Sequence, residues 1–175
     1  KVVFFRPAAF DLLIYYHAHG ELAIHNDGNS AKERFAYCTF MGKHIFGNIA
    51  FFEQSDKPKY TLEPLRARGR DALDCSEVEG LKSARLTYLR YRFGGSNNHR
   101  VTYNANDVFD GLEDMNQAIP EGAELLCMGL RLVPEDGLGG ERNLKLYRPN
   151  VSVYDHEADA ELAHRFLDKN KFLIG

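Results

Sequence analysis

A chain of 175 residues with 22 Lys+Arg, 25 Asp+Glu and a formal charge of -3 has no bulk electrostatic grip on nucleic acid, although a local basic patch stays open to it. Hydrophobic content of 44% and charged content of 27% are ordinary for a globular domain, and this length buries a core without disulfides or metals. Cys38, Cys75 and Cys127 are odd in number and far apart, which excludes the paired-cysteine signatures of zinc ribbons and redox dithiols and favours a reducing compartment.

Taken in order, residues 2–6 read as a short strand stopped by Pro7. Residues 10–17 and 21–26 predict a hairpin around Ala18-His19-Gly20. Ser30-Ala31-Lys32-Glu33 fits a capping box, opening a helix that carries Ala31, Phe35, Cys38 and Thr39 inward and ends near Gly42 or Gly47. Residues 49–53 read as a buried strand, and 60–65 as extended up to Pro64. The stretch 66–80 is the most polar connection, with one helical turn expected at 70–73.

The central feature is a strand at 82–93, a Gly-Ser-Asn turn, a return strand and a short acidic helix. Alternation places Leu86, Tyr88, Arg90 and Arg92 on one face and Thr87, Leu89, Tyr91 and Phe93 on the other. Asn104 or Asn106 would cap the helix, with Val108, Phe109, Leu112 and Met115 inward and Asp107, Asp110, Glu113 and Asp114 toward water. Residues 124–133 predict a strand with Leu126, Met128, Leu130 and Leu132 on its buried face, and 142–148 a return with Leu144 and Leu146 inward. Asp155 would cap a last helix bearing Ala158, Leu162, Phe166 and Leu167.

The pattern gives an α+β fold: antiparallel hairpins forming one or two sheets, with about three helices on one face. It reads as a single domain, or as two packed halves, 1–65 and 81–175, joined by the polar connection at 66–80. Hairpin followed by helix at 10–46 and again at 82–117 suggests a duplicated strand-strand-helix unit, and Phe5-Arg6-Pro7 echoes Tyr147-Arg148-Pro149. The start on Lys1-Val2-Val3-Phe4-Phe5, without an initiator methionine, suggests a segment of a larger polypeptide.

Three groups of residues could carry chemistry. His17 and His19 stand two apart, with His25 on the returning strand, a spacing that can hold a metal; the alternative is a solvated turn. Tyr88, Arg90 and Arg92, with Arg100 on the partner strand, could take phosphate and stack a base; the alternative is ion pairing with Asp110, Glu113 and Asp114. Arg66, Arg68 and Arg70 could clasp an anion; the alternative is surface charge balanced by Asp71, Asp74, Glu77 and Glu79.

No G-x-S-x-G, G-x-x-x-x-G-K-[ST], G-x-G-x-x-G or H-E-x-x-H motif occurs, which excludes the common linear signatures of those chemistries. No apolar run reaches the roughly 18 residues of a membrane helix, so no membrane partner is expected. The expected function is a non-catalytic binding or regulatory domain of a larger cytoplasmic protein, without cofactor, engaging a protein or nucleic acid through the Tyr/Arg sheet face. The competing class is a hydrolase or nuclease-like enzyme with a histidine-containing site at the first hairpin.

Overall fold

The computed structural model describes residues 11–17, 20–25, 30–52, 58–95, 97–135, 140–154 and 159–174, with the side chains of Ala31 and His25 left aside. The fold is α+β: among the described residues there are four α-helices and two antiparallel sheets, one of two strands and one of five. Contacts divide the chain into two compact units, residues 1–56 and 57–175. No helix among the described residues is long and apolar enough to cross a membrane.

In the first unit, β1 (Leu12–Tyr16) pairs antiparallel with β2 (Glu21–His25), followed by α1 (Ala31–Ile45). The capping box is present: Ser30 Oγ accepts from the Glu33 amide, and the Glu33 carboxylate accepts from the Ser30 amide. Gly42 allows the chain to fold back after α1, because a Cβ there would stand 2.6 Å from the Asn48 carbonyl oxygen. Two expectations change here. Phe35 is exposed on α1, and residues 49–52 are turns with Ile49 exposed, so the apolar run is not a strand. No strand among the described residues pairs with it, and its rings pack instead: Phe51 stacks on Phe46 at 3.9 Å and meets Phe52 edge-on at 5.0 Å.

The second unit is built on a sheet of order β4-β3-β5-β6-β7: β4 (Arg100–Asn104), β3 (Leu81–Phe93), β5 (Ala123–Pro134), β6 (Arg142–Tyr147) and β7 (Val151–Tyr154). Helices α2 (Glu63–Arg68), α3 (Val108–Asp114) and α4 (Asp159–Lys169), with a 3-10 turn at Gly69–Leu73, contribute to one core with one face of this sheet. Its sheet side is Leu81, Leu86, Leu89, Tyr91, Leu125, Met128, Leu130, Leu132, Leu144 and Leu146. Its helix side includes Leu65, Leu73, Val108, Phe109, Leu112, Ala163, Phe166 and Leu167.

Beyond a register shift at the start of β3, between Leu81 and Ser83, strict alternation fails twice more, for one reason. The β3–β5 register shifts between Leu86 and Tyr88, and again between Arg90 and Tyr91. The first bulge, around Thr87, lets Leu86 and Leu89 both point into the core, so Leu86 does not share a face with Tyr88 and Arg90. Thr87 Oγ1 donates to the Gly129 carbonyl, and its own carbonyl accepts from the Ala105 amide. The second bulge puts the extra residue, Leu126, on β5. Leu125 is therefore buried, and Leu126, expected inward, is only half-buried.

Helix starts differ in the same local way. Asp107, not Asn104 or Asn106, caps α3 by accepting from the amides of Phe109 and Asp110, and Met115 at its end is exposed. Pro64 lies in the first turn of α2, where its missing N–H costs nothing, so the stretch read as extended becomes helical from Glu63. The turn expected at 70–73 is the 3-10 segment. It is fastened by Asp74, which the Ser76 amide, Lys169 and the Ser76 hydroxyl hold down to about 2, well below the usual carboxylate range. The expected cap at Asp155, the inward Ala158 and the strand at 2–6 lie outside the described residues.

Candidate functional site: the outer face of the five-stranded sheet

Each residue on the sheet face away from the core is fixed by register. Arg85 stands opposite Arg131, which stands opposite Asn143. The next row runs Asn104, Tyr88, Gly129, Lys145, Val153. The row after it runs Thr102, Arg90, Cys127, Tyr147, Val151. Arg100 and Arg92 follow, beside Glu124. Cationic side chains therefore gather on this face from three strands and a fourth at the edge, while the chain as a whole is acidic.

Two carboxylates partly offset them. Glu124 takes Arg92 Nε at 2.5 Å, and Glu141 bridges Arg85 at 2.5 Å and Arg131 at 3.2 Å. All of these are exposed pairs, worth little individually in water. Among the described residues, no ion pair takes up Arg90, Arg100 or Lys145. Arg90 Nε is shut from solvent without an acceptor, and Lys145 Nζ lies 5.9 Å from the centroid of the Tyr88 ring.

Between these side chains the floor is bare. Gly129 has no room for a side chain, since a Cβ would stand 2.9 Å from the Tyr88 Cβ and 3.6 Å from the Lys145 Cγ. Cys127 is fully buried beneath its neighbours. Burial pushes its thiol up to about 11, against the downward pull of Arg90 and Lys145. At pH 8 that leaves roughly two-hundredfold less thiolate than an ordinary cysteine has. With Cys38 and Cys75 replaced by serine, Cys127 is expected to react with iodoacetamide at least that much more slowly in the folded protein than in urea. Equal rates, read by mass spectrometry, would put the thiol elsewhere.

Of the three acids expected to neutralise Arg90 and Arg92, Asp110 and Glu113 are engaged elsewhere, and Asp114 pairs with neither arginine among the described residues. Asp107 at 2.8 Å, Asp110 at 2.5 Å and Glu113 at 3.7 Å all hold Arg70, whose guanidinium also lies over the Phe109 ring at 5.5 Å. Arg66 bonds the Glu63 carboxylate and the Ala123 carbonyl, and Arg68 donates to the Asn170 carbonyl at 2.5 Å. The three arginines thus go to three separate sets of partners rather than to one common point. Asp74 and Glu79, expected to balance them, pair with Lys169 and Arg165.

His17 is an exposed turn residue 6.0 Å from the Tyr15 ring, while His19 and the side chain of His25 lie outside the described residues. Among the described residues, no group of three or more His, Cys, Asp or Glu side chains is placed to hold a metal. Sequence alternation identified Tyr88, Arg90, Arg92 and Arg100. It missed Arg85, which the bulge at Thr87 brings to this face of β3, and Arg131, Lys145 and Tyr147, which join through strand pairing with β5 and across it. No family model, curated protein or solved structure matches the chain.

Proposed function

We propose that this chain is a non-catalytic binding domain that takes an anionic partner on the outer face of its five-stranded sheet. One observation carries the proposal: Arg90 and Lys145 flank the same stretch of β5, and no carboxylate among the described residues pairs with either. A guanidinium whose Nε is already desolvated has lost part of its hydration, so an incoming anion recovers an interaction at little further cost. Binding is favoured over catalysis because cations and phenols dominate the face, and its two carboxylates are committed to arginines. A cytoplasmic setting and a role inside a larger protein belong to the same proposal.

Heparin is a suitable general polyanion for the test. The full chain is expected to bind heparin in low salt, and the Arg90→Gln/Lys145→Gln variant to flatten the slope of log affinity against log salt by about two, one for each lost contact. An unchanged slope in a folded variant would remove the proposal.

A further inference from the structure

We infer that the anionic partner is a single-stranded nucleic acid, with bases stacked on Tyr88 and Tyr147 and phosphates held by Arg90 and Lys145; this rests on the sheet-face reading above. The four residues form a lattice across β5. Tyr88 and Arg90 stand on β3, and Lys145 and Tyr147 on β6. Tyr88 shares a row with Lys145 through Gly129, and Arg90 shares the next row with Tyr147 through Cys127. The rings therefore occupy one diagonal and the cations the other.

Two strand spacings and one two-residue step along the strand separate the rings by about 12 Å. That span suits the two or three bases that an aromatic-bearing sheet stacks. Each ring has a cation beside it on its own strand and another across β5, so a base on a ring has its phosphate within reach of a positive side chain. Lys145 already lies over the Tyr88 ring. The Gly129 floor keeps that part of the surface low, so a planar base meets ring rather than aliphatic side chain. A phosphopeptide or an inorganic polyanion would use the cations and leave the phenol rings idle. A duplex keeps its bases stacked inside, with no face to offer a ring. The single strand uses all four groups.

The test measures fluorescence anisotropy of the full chain with labelled oligothymidylate, the same sequence as a duplex, and inorganic polyphosphate as competitor. The single strand is expected to bind more tightly than the duplex. Tyr88→Leu and Tyr147→Leu should each weaken it by about five- to a hundredfold while leaving polyphosphate binding unchanged. Tyr88→Phe and Tyr147→Phe, which keep the stacking surface, should retain wild-type affinity, and Arg90→Gln/Lys145→Gln should weaken both ligands. Circular dichroism confirms that each variant folds. If the leucine variants bind the single strand like wild type, or the duplex binds equally well, or an acidic peptide outcompetes the oligonucleotide, the nucleic-acid inference falls while the sheet-face reading stands. If neither oligonucleotide nor polyphosphate binds, both fall.

Discussion

Phe166→Ala is expected to destabilise the second unit by about 3–5 kcal/mol, the largest effect of any single truncation proposed here. Phe166 is fully buried on α4, in the second unit's core, with its ring 6.3 Å from that of Phe172. The surroundings cannot easily collapse into the space it would leave. The Phe172 amide donates to the Leu167 carbonyl at 2.8 Å, and its carbonyl accepts from the Thr61 amide at 2.9 Å. Asn170, itself buried, donates to the carbonyls of Asp74 and Phe166. The end of α4 is thus fastened on several sides, and a cavity would persist. Domains are stable by only about 5–15 kcal/mol, so urea unfolding should show the midpoint falling by about a fifth or more. A loss under about 1 kcal/mol would mean that α4 does not pack as described.

Gly129→Val should cost about 1–3 kcal/mol through overpacking and should disturb the outer sheet face as well. The added Cβ meets the Tyr88 Cβ, an atom fixed to the backbone, so no side-chain rotation relieves the contact. Relief requires β3 and β5 to separate or the bulge at Thr87 to move, and either displaces Tyr88 and Lys145 together. Valine favours strands on its own, so a destabilised variant points to the close approach and not to propensity. Thermal unfolding reads the cost. A variant as stable as wild type would show that the two strands leave more room than this register allows.

Local chemistry made much of the architecture legible. Ser30 and Glu33 announced α1, the alternation of residues 82–93 and 142–148 announced β3 and β6, and the apolar spacing of Val108, Phe109 and Leu112 announced α3. What stayed hidden depends on the partner strand. A bulge is a property of two strands together, so neither Thr87 nor Leu126 carries a signal of its own, yet each reverses which side chains face the core. The run beginning at Ile49 looked like a strand because apolar runs of strand and turn differ only in whether a neighbour pairs with them. β7, four residues long, is too short for periodicity to mark. The candidate site divides along the same line. Tyr88, Arg90, Arg92 and Arg100 follow from one hairpin, whereas Lys145 and Tyr147 reach them only across β5, from a strand well beyond that hairpin in the chain.

The most direct test follows amide resonances of the isotope-labelled chain by NMR as polyphosphate is added. Anion binding to the outer sheet face should perturb a contiguous set on β3, β5 and β6, centred on Arg90, Cys127 and Lys145, with little change along α4. Shifts concentrated at Arg66, Arg68 and Arg70, or spread evenly over every exposed lysine and arginine, would contradict the assignment.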